Sequence, residues 1–382
     1  MAKVGLLTFH GSHNFGSVMQ AYATQRIIEK LGNTCEIINF RMASQKKHYA
    51  LYGSVKDKRG FLRNLMLIKY HSQRKKRFNL YEDFIFHHLN VSKEFNSRIE
   101  LEKLKDCYDV AISGSDQIWS EQIAEFLESE EDFTDIYFLS FISERTRKIS
   151  YASSIGEASA DSITAKLQYL KCYKAISTRE ERGAKILTEL LQRNVPVVED
   201  PTFLLSEEDW LDLIDNESKI KLPEKYIFLY SLQGIKMAKK WKDFLRKLGK
   251  RLELPILTVT PFFPVHDTGI TAIIDAGPLD VLKLFANATY IFTDTFHGTA
   301  FSIHFRKTFW VYQSSDSKDA RKQNILKKYH LQNQVINTLQ VENFKTIEEI
   351  DYQPKEILLS ERKAASLAYL KAALEQNEYK YL

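Results

Sequence analysis

The residues best suited to chemistry lie in one stretch, Tyr290–His304, where an apolar segment runs into a histidine and a glycine. Residues 290–293 predict a strand, and a helix is expected to follow His297 and Gly298. In an open α/β sheet, ligands bind at the carboxyl ends of strands, where the next helix presents its N–H groups and its positive dipole end. We therefore expect His297 to face a phosphate or a carboxylate and to transfer a proton, because histidine titrates near neutral pH.

A second step from strand to loop carries an acid, an amide and a large aromatic ring. Residues 109–113 predict a strand, and the loop that follows contains Ser115, Asp116, Gln117 and Trp119. This combination suits the binding of sugar hydroxyls, and Asp116 is the candidate to orient or deprotonate one of them. Packing in the core is an equal alternative for Trp119, because buried tryptophans are common.

The loop at residues 11–17 is a further candidate for binding. It lacks the Lys-Ser/Thr ending of a P-loop and the G-x-G-x-x-G pattern of a dinucleotide site. Asn14 and Gly16 lead into a predicted helix, so they are candidates to present N–H groups to an oxyanion. A turn that only requires glycine is the alternative.

Two arginines follow predicted strands and are candidates for binding an anion. Arg179 follows the strand at 175–178, and Arg321 lies at a helix start after the strand Thr308–Tyr312. A guanidinium fits a carboxylate or a phosphate in planar, bidentate geometry. The alternatives are that Arg179 pairs with a nearby acid and that Arg321 is a solvated surface residue.

Several classes of protein are disfavoured by what the sequence lacks. It contains no H-E-x-x-H motif, no Cys/His cluster and no G-x-S-x-G nucleophile elbow. We therefore expect no metal, no cofactor and no serine triad. The three cysteines, Cys35, Cys107 and Cys172, suggest reduced thiols rather than a disulfide framework. With neither a signal peptide nor an apolar run of about 18 residues, a cytoplasmic location is expected.

The net charge of +5 conceals a strongly basic segment. Between Arg41 and Arg77 there are twelve Lys and Arg residues against one acid, with the apolar insert Phe61–Ile68 among them. Such a block is typical of a solvated face, an anionic membrane surface or a nucleic-acid site. The apolar insert favours a membrane over nucleic acid, because Phe, Leu, Met and Ile can enter the headgroup layer. We expect no nucleic acid, and a peripheral position on the inner membrane face is the alternative to a purely solvated one.

Alternating strand and helix patterns predict an α/β protein of two doubly wound, Rossmann-like domains. We place an N-terminal domain at 1–204, with a basic helical insert at 41–90, and a C-terminal domain at 205–357. Within the insert, helices are predicted near 60–77 and 79–89, and another is predicted at 161–173. Residues 358–382 are expected to form a helix that packs back on the first domain.

Taken together, these motifs resemble the polysaccharide pyruvyl transferase family. The matching pieces, spread over about residues 3–335, are 14–23, 109–119, 177–181, 200–202 and 294–300. The resemblance implies a two-domain fold like the glycosyltransferase-B arrangement. It also implies phosphoenolpyruvate as co-substrate, a sugar or lipid-linked oligosaccharide as acceptor, and a pyruvate ketal as product.

The resemblance also assigns roles to single residues. His297 matches the family's histidine proposed as general acid, and Arg179 matches an arginine that holds the donor's anionic groups. Many members have Arg-Leu before this histidine, whereas this chain has Thr295 and Phe296. One anion anchor of the family is therefore absent, and Arg321 is a candidate to replace it.

Two other functions remain open at this point. One is a nucleotide-sugar glycosyltransferase on the same fold, which predicts a nucleotide bound chiefly to the second domain. The other is a carbohydrate- or anion-binding protein without catalysis. Fold alone cannot decide between them, because function depends on the site.

Overall fold

The computed structural model describes residues 1–382 except 53–63, 66, 128, 130–131, 233–234, 260–268, 314–319, 345–346 and 376–382. The chain divides into two compact units. Unit 1 comprises residues 1–50, 83–205 and 359–382, and unit 2 comprises residues 51–82 and 206–358. Part of the basic insert, which the sequence assigned to the first domain, therefore belongs to unit 2.

Strands and helices alternate along most of the chain. The strands are β1 (Lys3–Leu7), β2 (Thr34–Ile37), β3 (Val110–Ser113), β4 (Arg147–Ser150), β5 (Tyr173–Ala175), β6 (Ile227–Tyr230), β7 (Ile256–Thr258), β8 (Ile270–Ala272), β9 (Tyr290–Thr293), β10 (Thr308–Tyr312) and β11 (Val335–Ile336). The helices are α1 (Phe15–Lys30), α2 (Ala43–His48), α3 (His71–His88), α4 (Arg98–Leu101), α5 (Ala124–Leu127), α6 (Ala160–Thr164), α7 (Leu167–Leu170), α8 (Glu181–Leu191), α9 (Glu207–Glu217), α10 (Ile235–Leu252), α11 (Pro278–Asn287), α12 (Phe296–His304), α13 (Ala320–Lys328) and α14 (Gln353–Glu375).

The sheet of unit 1 is parallel, with the strand order β2-β1-β3-β4-β5. All four residues of β3 are buried, and so are the last four of β1, as expected of strands covered on both faces. The strand order reverses between β1 and β3, whose register pairs Leu7 with Ser113. In doubly wound sheets, ligands bind at the carboxyl ends of strands beside this reversal.

The sheet of unit 2 is also parallel, with the order β11-β10-β9-β6-β7-β8. Its strand order reverses between β6 and β9, where Tyr230 pairs with Thr293. A cluster of aromatic side chains covers one face, with Trp241, Phe244, Phe292 and Phe344 among its buried members. Both sheets confirm the predicted pair of doubly wound, Rossmann-like domains.

Two predicted helical segments differ from the structure. Helices near 60–77 and 79–89 were expected, but α3 runs without a break from His71 to His88. No proline or glycine interrupts this stretch, so nothing ends the helix near residue 78. Residues 53–63 and 66 lie outside the described part of the chain. The helix expected at 161–173 is instead the two short helices α6 and α7.

The C-terminal helix α14 packs on unit 1 along its last part, as the sequence predicted. The Tyr369 hydroxyl donates to the main-chain oxygen of Ser150 at the end of β4, at 3.0 Å. The main-chain N–H of Glu199 donates to the Ser366 hydroxyl at 2.9 Å. Tyr369 and Leu370 are buried, so this helix completes the core of unit 1. Among the helices of the described residues, none combines the length and the apolar character that crossing a bilayer requires.

Replacing Tyr369 with Phe is expected to lower the free energy of unfolding by about 1 kcal/mol, as measured by urea denaturation, because a buried hydrogen bond is lost. The loss stays small because the Ser150 oxygen also accepts a hydrogen bond from the Ser177 hydroxyl. Tyr290→Phe is the control, since no hydrogen bond of the Tyr290 hydroxyl is found within the described residues. Equal effects of the two substitutions would contradict this prediction.

Candidate functional site

In unit 2, the turn from β9 to α12 fixes the position of His297. The Thr295 hydroxyl accepts a hydrogen bond from the main-chain N–H of Gly298 at 2.9 Å and thereby caps α12. His297 is the second residue of this helix and is half-buried. A Cβ at Gly298 would lie 2.1 Å from the Thr293 hydroxyl oxygen, so only glycine fits there. The structure therefore brings Thr295, His297 and Gly298 together at the carboxyl end of β9.

A buried aspartate and a buried lysine support the same strand end. The Asp294 carboxylate accepts hydrogen bonds from the Ser231 hydroxyl, which follows β6, and from the main-chain N–H of Leu232. Burial raises the pKa of Asp294, while Ser231 and the nearby Lys322 act in the opposite direction. Lys322 is 3% exposed, and its Nζ donates to the main-chain oxygen of Asp294 at 2.9 Å.

Lys322 is a candidate functional residue that the sequence reading missed. Arg321, the predicted anion anchor, is half-buried on α13, and the next residue, Lys322, reaches the end of β9. The available signal was the pair of adjacent cations at a helix start. Adjacent residues of a helix point in different directions, so the pair alone did not show that Lys322 faces β9.

In unit 1, the loop after β1 begins helix α1. The Asn14 side chain accepts a hydrogen bond from the main-chain N–H of Gly16 at 3.0 Å, so Asn14 is the N-cap residue. Gly16 is buried in the first turn. Ser17, in the same turn, donates from its hydroxyl to the Asp116 carboxylate at 2.7 Å. This bond joins the loop after β1 to the loop after β3.

The loop after β3 holds its predicted polar residues in different environments. Asp116 is 8% exposed and has a φ of 78°, in the region that favours glycine. Gln117 is half-buried. Ser115 is fully buried, and its hydroxyl donates to the Asp200 carboxylate at 3.3 Å. Asp116 and Gln117 are therefore the members of this loop that retain some exposure.

Trp119 is a core residue, which corrects its interpretation as a platform for a sugar. It is 1% exposed and stacks on Phe138, with 5.2 Å between the ring centroids. Its Nε1 donates to the main-chain oxygen of Tyr137 at 3.1 Å. A ring with both its face and its polar edge committed to the protein presents no surface to a ligand.

Arg179 lies in a buried ion pair, the alternative that its sequence context left open. Its Nη1 is 2.6 Å from a carboxylate oxygen of Asp200, and the two side chains are 2% and 0% exposed. Burial works against its charge, but Asp200, Asp116 and Glu180 outweigh burial and raise the pKa of Arg179. The structure thus groups three carboxylates around one guanidinium.

This cluster is tied to the rest of the sheet edge by hydrogen bonds. A Glu180 carboxylate oxygen accepts from the Ser154 hydroxyl at 2.8 Å and from the main-chain N–H of Ile155 at 3.0 Å.

Within the described residues, histidine, cysteine, aspartate and glutamate form no group of three or more suited to a metal ion. The arrangement offers carboxylates and hydroxyls, which are groups that recognise sugar hydroxyls.

Comparisons with known proteins bear on the family and the fold. A sequence model of the polysaccharide pyruvyl transferase family matches residues 14–316, which is more than half of the chain. A comparison with curated proteins gives no match. The fold is similar to that of S. aureus MnaA in its co-structure with UDP, with a TM-score of 0.57 and 10% identity over 100% of both chains. It is also similar to a UDP-GlcNAc 2-epimerase from Neisseria meningitidis bound to UDP-GlcNAc, with a TM-score of 0.55 and 11% identity over 99% of this chain and 100% of that one. These similarities show a glycosyltransferase-B-type fold.

Replacing Arg179 with Met is expected to lower the free energy of unfolding by about 3–5 kcal/mol, because the buried Asp200 carboxylate loses its partner. Chemical denaturation measures the change. Arg26→Met is the matched control, since Arg26 is also 2.6 Å from a carboxylate, that of Glu29, but with side chains 46% and 30% exposed. That control is expected to cost less than about 1 kcal/mol. Similar losses in both variants would show that burial does not set the strength of the Arg179 pair.

Proposed function

The chain belongs to the polysaccharide pyruvyl transferase family, and on that premise we propose that it transfers pyruvate from phosphoenolpyruvate to a sugar of a polysaccharide or a lipid-linked oligosaccharide. The product is a ketal that joins two sugar hydroxyls through C2 of pyruvate. The observation that carries the proposal is the position of His297 at the start of α12, beside the point where the strand order of unit 2 reverses. A proton donor and a helix N-terminus at one place suit a substrate that is both an anion and a proton acceptor.

The donor is assigned to unit 2. Phosphoenolpyruvate carries a phosphate and a carboxylate. Lys322 and His297 supply a cation and a proton donor near the end of β9, and Arg321 precedes Lys322 on α13. The Lys322 ammonium donates a hydrogen bond to the main-chain oxygen of Asp294, and its positive charge favours anions at this end of the sheet. Thr295 and Gly298 shape the turn around His297.

The acceptor is assigned to unit 1, where carboxylates outnumber cations around Arg179. Asp116 is the proposed base. Of the three acids around Arg179, it is the one on the loop after β3, next to the point where the strand order reverses. Gln117, Ser115, Asn14 and Gly16 shape or line this end of the sheet. In this proposal Arg179 holds the carboxylates in place rather than binding the donor.

The reaction balances with these groups. His297 gives a proton to the methylene carbon of the enol phosphate, and the first sugar hydroxyl adds to C2 as Asp116 takes its proton. The bond from C2 to the phosphate oxygen then breaks, and phosphate leaves with the electron pair. The second hydroxyl attacks the oxocarbenium-like C2, and its proton is released. Electrostatic stabilisation of the departing phosphate is the main contribution expected from the cations.

A uridine diphosphate sugar is the alternative donor, because both similar structures named above were solved with a uridine nucleotide. Calorimetric titration of phosphoenolpyruvate and of UDP-GlcNAc against the whole chain separates the two proposals. Binding of phosphoenolpyruvate alone supports pyruvyl transfer. Binding of UDP-GlcNAc alone supports glycosyl transfer.

A second part of the proposal concerns the membrane. Leu65 and Ile68 are 56% and 59% exposed, and Lys69 and Lys75 nearby in the chain are also exposed. Exposed apolar residues among cations suit contact with anionic lipid. We place a peripheral membrane contact here, which would bring the protein to a lipid-linked acceptor.

His297→Ala is expected to reduce pyruvyl transfer by about 10²–10⁴-fold, because a positioned acid is removed. Phosphate released from phosphoenolpyruvate in the presence of a panel of sugars measures the rate. The control is His330→Asn, an exposed histidine of the same unit with a φ of 54°, a conformation that asparagine accepts. Unchanged turnover in His297→Ala would reject the catalytic role.

The membrane contact is tested with Leu65→Ser/Ile68→Ser and with Lys69→Glu/Lys75→Glu. Both double variants are expected to lose sedimentation with vesicles containing phosphatidylserine. The first removes the apolar side chains that would enter the headgroup layer, and the second removes two cations that each contribute about 1 kcal/mol near such a surface. The control is Lys76→Glu, because Lys76 already pairs with Asp275 at 2.8 Å. Equal sedimentation with neutral and anionic vesicles would mean that the segment is only a solvated face.

A further inference from the structure

The hydrogen bond between Ser17 and Asp116 spans the point where the strand order of unit 1 reverses. We propose that Ser17 is a positioning residue, which holds the Asp116 carboxylate in the orientation needed to take a proton from a sugar hydroxyl. The inference rests on the proposed function, in which Asp116 is the base. It adds a residue from α1 to the machinery of the acceptor side.

The hydrogen bonds of Asp116 leave room for a substrate. The Ser17 hydroxyl donates to Oδ2 at 2.7 Å, and the main-chain N–H of Gln117 donates to Oδ1 at 2.8 Å. An ionised carboxylate accepts at about four positions, so these two donors fix its plane without filling its capacity. As a whole residue, Asp116 is 8% exposed.

The backbone at Asp116 shows that its side chain is kept at some conformational cost. Its φ of 78° belongs to the region that glycine enters freely and that other residues rarely adopt. The main-chain N–H of Ser154 holds the backbone there by donating to the main-chain oxygen of Asp116 at 2.9 Å, and Asp116 also forms an isolated β-bridge with Ser153. Strained residues held in this way cluster at functional sites. On backbone conformation alone, glycine would be the favoured residue at position 116.

The surroundings of Ser17 make it a firm support. It is the third residue of α1 and is 6% exposed. The Asn14 cap holds the first turn of that helix and thereby fixes the position of the Ser17 side chain. A carboxylate beside the N-terminus of a helix is favoured by the helix dipole. The charged groups that face Asp116 in this cluster are Arg179 and, through that guanidinium, the carboxylates of Asp200 and Glu180.

Ser17→Ala tests the positioning role. Its kcat is expected to fall by about 10–100-fold with an unchanged KM for phosphoenolpyruvate, because the base loses its orientation but the donor site is untouched.

Ser113→Ala is the matched control. Ser113 is a fully buried serine at the end of β3, and its hydroxyl donates to the main-chain oxygen of Tyr137 at 2.7 Å. This variant also loses a buried hydrogen bond, but its kcat is expected to stay near the wild-type value. An unchanged kcat in Ser17→Ala, or an equal fall of kcat in both variants, would overturn the proposal.

Two measurements keep the inference separate from the proposed function. Asp116→Asn is expected to abolish transfer, because an amide of the same size cannot take a proton, and asparagine also tolerates the positive φ. Carbon-13 NMR of the labelled carboxyl groups at constant neutral pH, with Asp116→Asn for assignment, reports the hydrogen bonding of the Asp116 carboxylate without any turnover. An Asp116 resonance that does not shift in Ser17→Ala refutes the inference, whereas absence of turnover in the wild type with every sugar refutes only the proposed function.

Discussion

The reversal of strand order in each parallel sheet is the constraint on which the candidate site depends. Strands on either side of the reversal send their following helices to opposite faces, and the loops at their carboxyl ends therefore separate. In both units a serine and an aspartate bridge this gap. Ser17 joins Asp116 between the loops after β1 and β3, and Ser231 joins Asp294 between the segments after β6 and β9. The same pair of residue types thus holds both sheet edges at the place where a ligand is expected.

The two edges differ in charge, although they share this architecture. In unit 1, Asp200, Asp116 and Glu180 surround Arg179, so carboxylates prevail. In unit 2, Lys322 contacts the main chain at the end of β9, near His297, and Asp294 is turned toward Ser231. In the proposal made above, the sugar is assigned to the first edge and the anionic donor to the second.

The sequence predicted most of the strands and the pair of doubly wound domains, because these depend on local patterns of apolar residues and caps. The turn at Thr295, His297 and Gly298 could be placed for the same reason. Several helix bounds, such as those of α3, α6 and α7, were wrong. What the sequence could not predict were contacts between residues distant in the chain. Arg179 and Asp200 pair across 21 residues, and Ser17 and Asp116 across 99. Trp119 looked like a binding platform because its stacking partner Phe138 comes from a separate segment.

The hydrogen bond from Lys322 to a main-chain oxygen bears on which substitutions the end of β9 tolerates. Its acceptor is the carbonyl of residue 294, which exists whatever side chain stands there. Substitutions of the side chains at 295 and 296 that keep the course of the main chain therefore leave this contact in place. The cation is thus tied to the backbone of the strand end rather than to any one side chain on it.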